Sequence, residues 1–236
     1  MNKLTKVEKQ FLAAMEADPE APHGLYDPNN QQDLSSLREK IRITAYHEAG
    51  HFAAKLFTQL ELSHVLYISI IPKNGIVGCM TAERPYAQYM LASHPPYVQR
   101  CQGMMLLLEK LAGYGTEIIM DKSDKSESIY DYCECKDLLD EENQDFFKAN
   151  LIAEIMARPH MPVHSILKVA DKWTLEMLRI PAVWNALETV ACKLIKQGKI
   201  TIVDGELSTI AHEYYSNAPY SFFPAKWMRR LHPKTY

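Results

Sequence analysis

The chain is poor in the features that mark a nucleic-acid binder, a membrane span or a disulfide scaffold. Its 26 lysines and arginines stand against 29 aspartates and glutamates, a formal net charge of −3, whereas a nucleic-acid binder carries a basic domain or stripe. Protein or peptide partners suit this balance better than nucleic acid. No window approaches the roughly 18 consecutive apolar residues of a membrane span, and the run Met104 to Leu108 stops at Glu109-Lys110. Five cysteines (Cys79, Cys101, Cys133, Cys135, Cys192) are few and odd in number. No apolar signal segment follows Met1-Asn2-Lys3-Leu4-Thr5-Lys6, so a reducing, cytoplasmic location is expected. Cys133-x-Cys135 lacks the second pair of a structural zinc site and reads as packing cysteines. There is no internal repeat and no Gly-x-x-x-x-Gly-Lys-Ser/Thr phosphate loop. With 236 residues, one main domain with a sizeable core is the default.

What is there is His47-Glu48-Ala49-Gly50-His51. Residues four apart on a helix lie one turn above each other, so both imidazoles can reach one metal ion, for which zinc is the natural candidate. Glu48 is rotated about 100° from His47, which sets a carboxylate beside the open coordination position. Zinc acidifies a bound water and polarises a carbonyl, and the glutamate acts as general base, a combination that hydrolyses peptide bonds. The surroundings read as helix, since Ala45, Ala49, Phe52, Ala53 and Leu56 recur at helical spacing and Thr44 to Phe57 holds no proline.

The remaining pattern predicts a mainly α fold with a small β element. A short helix, Lys6 to Ala17, opens an N-terminal arm over residues 1–35, which turns loop-like through Pro19, Pro22, Gly24 and Pro28. The motif helix starts at about Leu34, or more narrowly Thr44, and runs to Gln59. Val65 to Ile71, the turn Pro72-Lys73-Asn74-Gly75 and Ile76 to Thr81 read as a hairpin or strand pair. An exposed strand edge there would hold an extended substrate by backbone hydrogen bonds, with Ile68, Ile70 and Gly78 as the substrate-binding residues. Helices follow over Pro96 to Met120 and Ile129 to Met156, separated by the polar loop Asp121 to Ser128. A last block carries a helix ending near Gly198, the strand Ile200-Thr201-Ile202 and a short helix Gly205 to Tyr215. His160-Met161-Pro162-Val163-His164 repeats the histidine spacing, but Pro159 and Pro162 break the helix that would align the rings. The tail, residues 216–236, combines Phe222, Phe223 and Trp227 with Arg229 and Arg230, which suits either a partner surface or docking on its own domain.

Two histidines and a water leave the metal one protein ligand short. The metzincin pattern needs Gly at 54 and His at 57, where Ala54 and Phe57 stand, so that class is excluded. Ala45-Tyr46-His47-Glu48-Ala49-Gly50-His51-Phe52-Ala53, then Ile68-Ser69-Ile70-Ile71-Pro72-Lys73 and Val77-Gly78, resembles the peptidase domain of the FtsH-type zinc proteases. Leu111-Ala112-Gly113-Tyr114-Gly115-Thr116-Glu117 is similar to that family's Gly-Gly-Arg-x-Ala-Glu segment, with Tyr114 for the arginine.

The resemblance spans residues 36–215 and implies a zincin-like helical domain with one Zn2+ per chain. It also implies a third ligand from an aspartate followed by an apolar residue and, four on, a small one. Asp131, with Tyr132 and Cys135, carries that role best; Asp137 and Glu117 are the alternatives. The implied activity is hydrolysis of peptides or loosely folded proteins, with Glu48 as base. The family's ATPase domain and membrane anchor have no counterpart in this sequence, so a separate ATPase partner and a homo-oligomer are further expectations. The rival reading is a catalytically silent adaptor or inhibitor with a structural metal, against which Glu48 argues, since a structural site is closed by four ligands and uses no base.

Overall fold

Asn30 opens the longest helix of the chain: its Oδ1 accepts from the Gln32 N–H at 2.9 Å, and Asp33 lies in the first turn, where the helix dipole favours a carboxylate. The computed structural model describes residues 4–17, 26–27, 29–58, 65–73, 76–82, 96–121, 128–135 and 144–217. Within them run α1 (Lys6–Ala17), α2 (Gln31–Thr58), β1 (Val65–Ser69), β2 (Cys79–Ala82), α3 (Pro96–Met120), α4 (Ile129–Cys135), α5 (Gln144–Met156), α6 (Val163–Leu178), α7 (Pro181–Gln197), β3 (Lys199–Thr201) and α8 (Glu206–Asn217). The fold is mainly helical with one small antiparallel sheet. No helix among the described residues is long and apolar enough to cross a membrane.

The two ends of α2 differ in their surroundings. Its first half buries one stripe, Leu34, Leu37 and Ile41, whereas every residue from Glu48 to Ala54 is buried. A helix enclosed on all sides needs small residues where neighbours cross it. Ala45, Ala49, Gly50, Ala53 and Ala54 supply them against α3 and α7, the two helices that share most contact with α2. Gly50 is the tightest point, since a Cβ there would meet the Ala112 carbonyl oxygen at 2.7 Å. That close approach lays α3 along the motif face of α2.

The sheet has strand order β2-β1-β3, all antiparallel. The hairpin forms where the sequence predicts it, with Ile68 opposite Met80 and the Lys73–Ile76 bridge closing the turn. The expectation of a free edge on β1 is corrected. β3 pairs with its other side, Ile68 facing Ile200, and Ile68 and Ile70 are fully buried in the core instead of facing a substrate. Among the described residues the outer edge next to the turn belongs to β2. Gly198, at φ 79, ends α7 in the left-handed conformation and turns the chain directly into β3.

α1 packs on the same core, with Phe11 fully buried and Val7 nearly so. The single helix expected over Ile129 to Met156 appears as α4 and α5 at its two ends, and residues 136–143 lie outside the described set. Tail residues 218–236 lie outside it as well. His160 and His164 are both exposed around the Arg158–Met161 bridge and form no ligand group.

α4 has only seven residues, too few for an independent helix, and is anchored from α6. Asp171, 7% exposed, accepts the Ile129 N–H at 2.9 Å through Oδ1. Burial pushes the Asp171 carboxyl up from 3.8 to about 6. A raised carboxyl pKa means that the folded state favours the proton, so this group's stabilisation is complete below pH 3.8 and is lost as pH rises through about 6. Asp171→Asn keeps an acceptor for Ile129 and removes the buried charge. Urea unfolding at pH 4 and pH 8 is expected to show the variant gaining at pH 8 relative to wild type, by roughly 3 kcal/mol at most. A variant less stable than wild type at pH 8 would refute the assignment.

Candidate metal centre

Three side chains from two helices converge where α2, α3 and α5 meet. The ligand atoms of His47, His51 and Asp145 lie within 4.8 Å of one another and could hold a metal ion. Asp145 Oδ2 is 3.1 Å from His51 Nε2 and 3.6 Å from His47 Nε2. Around an ion with bonds of about 2.0–2.1 Å, tetrahedral ligands sit about 3.3 Å apart, between these two values. His51 Nε2 is buried without a hydrogen-bond partner despite its nearness to Asp145, as fits two atoms that face a common third point. These residues suit a divalent cation.

The other ring nitrogen of each histidine is held from α3. Glu117 Oε1 lies 2.5 Å from His47 Nδ1, and the Glu109 carbonyl oxygen accepts from His51 Nδ1 at 2.6 Å. With Nδ1 donating in both rings, both Nε2 lone pairs are turned toward Asp145. Glu109, Gly113 and Glu117 follow each other at four-residue spacing, one face of α3, and this face runs antiparallel to His51 and His47. Asp145 is fixed by its place in the first turn of α5 and by Lys110, whose Nζ is 3.5 Å from Oδ1. Lys110 and Lys55 also flank the Glu109 carboxylate, at 3.4 and 2.9 Å.

Glu48, Glu109, Glu117 and Asp145 lie among the cations Lys40, Lys55, Lys110 and Lys148, so that carboxylates and ammonium groups are interleaved around the two histidines. Titration reflects it. Burial works to raise the Asp145 pKa, but His51, His47 and Lys110 hold it well below the usual value. Burial likewise opposes charge on His47, and Asp145 and Glu117 overcome it, so that its pKa lies well above the ordinary imidazole value. Protons and a cation compete for the same nitrogen.

Glu48 is 5% exposed and stands outside the ligand group. Burial raises its pKa, with His51 and His47 acting against the rise. It lies under the turn before β2, since a Cβ on Gly78, at φ +92, would meet Glu48 Oε1 at 2.7 Å. Gly78 thus lies against Glu48, whereas Ile68 and Ile70 are buried in the core.

Asp131, the ligand favoured from sequence, is not brought to the histidines. It is exposed on α4, while its neighbour Tyr132 turns inward to Glu117, and adjacent helical residues point about 100° apart. Glu117 orients His47 from the Nδ1 side instead of joining the group, and Asp137 lies outside the described residues. Among the described residues it is Asp145, not Asp131, that stands beside the two histidines. A local signal existed, because Asp145 is followed by Phe146 and, four on, by Ala149. Cys133 is buried and its thiol is pushed up to about 12, chiefly by burial, in keeping with a packing role.

Gly113 yields a direct expectation. A Cβ there would land 2.7 Å from His47 Cδ2 and closer still to Nε2 and Cε1. Gly113→Ala is therefore expected to displace the His47 ring and weaken metal binding by at least about tenfold, measured by competition with a chelator. Unchanged affinity would show that the ring has another place to go. The chain matches no protein-family model and no curated protein.

Proposed function

We propose that this chain is a zinc-dependent endopeptidase of zincin-like build, acting on peptides or loosely folded protein. The observation that carries the reading is Glu48, a buried carboxylate beside a His47, His51 and Asp145 group to which it contributes no ligand atom. Three protein ligands leave one position open, whereas a structural site is closed by four. Zinc held there would supply Lewis-acid polarisation of a carbonyl and acidify a coordinated water toward neutral pH.

The chain's own residues do the rest. Glu48 takes a proton from the attacking water and delivers it to the leaving amine, and the upward shift that burial gives its pKa makes it a stronger base than an ordinary glutamate. Glu117 and the Glu109 carbonyl keep both imidazoles in the tautomer that ligates. An extended peptide would add to the outer edge of β2, the strand that follows Gly78 and Glu48. Resemblance of the His47 to His51 region, the hairpin and the Glu117 segment to FtsH-type proteases supports the same reading.

The test is zinc content together with cleavage. Purified protein is expected to bind one Zn2+ per chain and to cut members of a broad peptide library, with activity lost to a chelator and restored by Zn2+. Full zinc loading with no cleavage of any peptide would replace this reading by that of a metal-stabilised interaction protein.

A further inference from the structure

We infer that Tyr132 is a positioning residue of the metal centre: its hydroxyl holds Glu117 in the one orientation that keeps His47 Nδ1 hydrogen-bonded and Nε2 bare. This rests on the metal reading above and deepens it. Glu117 divides its two oxygens between two partners. Oε1 lies 2.5 Å from His47 Nδ1, and Oε2 accepts from the Tyr132 hydroxyl at 2.7 Å. A carboxylate fixed at one oxygen only can turn about its last torsion, which has broad, shallow wells. Fixed at both, it cannot turn without breaking a charge-assisted hydrogen bond.

The support for Tyr132 is itself built into the fold. Tyr132 is 5% exposed, and Ile129 and Cys133 on the same short helix are fully buried. The N-terminus of α4 is tied down twice, by Asp171 from α6 and by Ser128, whose Oγ accepts the Asp131 N–H at 3.0 Å. A seven-residue helix with this much anchorage and no ligand of its own serves to present one side chain. The sequence of supports is Asp171, then α4, then Tyr132, then Glu117, then the ring that faces the metal. Outer partners of ligating histidines commonly change metal affinity by 10–100-fold when removed, and Tyr132 acts one step further out, so an effect near the low end is expected.

The experiment uses the full chain with Zn2+ as the only added probe. Tyr132→Phe is expected to keep the fold, to bind Zn2+ about tenfold more weakly in chelator competition, and to lose that effect when Glu117 is already alanine. A merely structural tyrosine would cost the same affinity in both backgrounds. Nitrogen-15 correlation spectra of the metal-free protein, recorded at a pH high enough that the His47 ring is neutral, add a readout independent of metal: wild-type His47 should carry its proton on Nδ1, and Tyr132→Phe should show a mixture. Tyr130→Phe, an exposed neighbour on α4, should change neither. Wild-type affinity in Tyr132→Phe with an unaltered tautomer would overturn the inference, as would a wild-type His47 protonated on Nε2 alone, a result obtainable even if the variant failed to fold. A wild-type chain that takes up no Zn2+ would sink the metal reading alone, because the ring tautomer still decides the role of Tyr132.

Discussion

Asp145→Ala is expected to lower Zn2+ affinity on the order of 10^3-fold, while Asp131→Ala leaves it unchanged. Asp145 supplies the only anionic atom of the three that converge, and its Oδ2 lies within 3.6 Å of both ligating nitrogens. Removing it takes away a carboxylate oxygen and its charge together, and removes one of the two carboxylates, Glu109 and Asp145, that offset the burial of Lys110. Breaking a buried charge interaction from one side costs about 3–5 kcal/mol, which matches the stated loss of affinity. Asp145→Asn keeps the shape and removes the charge, so it should fall between wild type and alanine. Asp131 is exposed on α4 and meets none of these atoms. Chelator competition on the three proteins decides the matter, and retention of zinc by Asp145→Ala with its loss in Asp131→Ala would reverse the assignment.

Glu48→Gln is expected to reduce peptide cleavage on the order of 10^3-fold with Zn2+ still bound at full stoichiometry. Glutamine fills the same buried space under Gly78 and cannot accept a proton from water. Because Glu48 contributes no atom to the His47, His51 and Asp145 group, the substitution separates the proposed general base from the proposed metal ligands. Burial raises the Glu48 pKa, so the acid limb of the activity profile should lie above the range of an ordinary glutamate. Activity equal to wild type in Glu48→Gln would remove the general-base role. Loss of zinc as well would mean that Glu48 holds the site together.

Much of the site and fold was readable from local pattern. Helical period located α2 and bounded α3 at Pro96 and Met120, because a helix buries every third or fourth residue wherever its neighbours lie. The turn at Lys73–Ile76 announced the hairpin for a similar reason, since turn chemistry acts over a few residues. Long-range pairing left no such trace. β3 joins β1 from far along the chain, and nothing in Val65 to Ser69 states that both of its edges will be used. The stretch from Ile129 to Met156 reads as one helix because acidic and apolar residues alternate suitably throughout, yet two of its carboxylates, Asp131 and Asp145, end in different environments. Asp131 faces outward on α4 and Asp145 faces the histidines from the first turn of α5.

Spacing within one helix determined by sequence alone that His47 and His51 share a face with Glu48 alongside, since 3.6 residues per turn leave no other arrangement. The sequence showed in the same direct way that it holds no long apolar run. Only the tertiary structure decided which carboxylate meets the imidazoles, which groups hold their far nitrogens and that β1 is paired on both of its edges. Each of those depends on how separate helices and strands cross, and crossing is set by the packing of Gly50 against Ala112, Gly113 against His47 and Asp171 against α4, contacts between residues far apart in the chain.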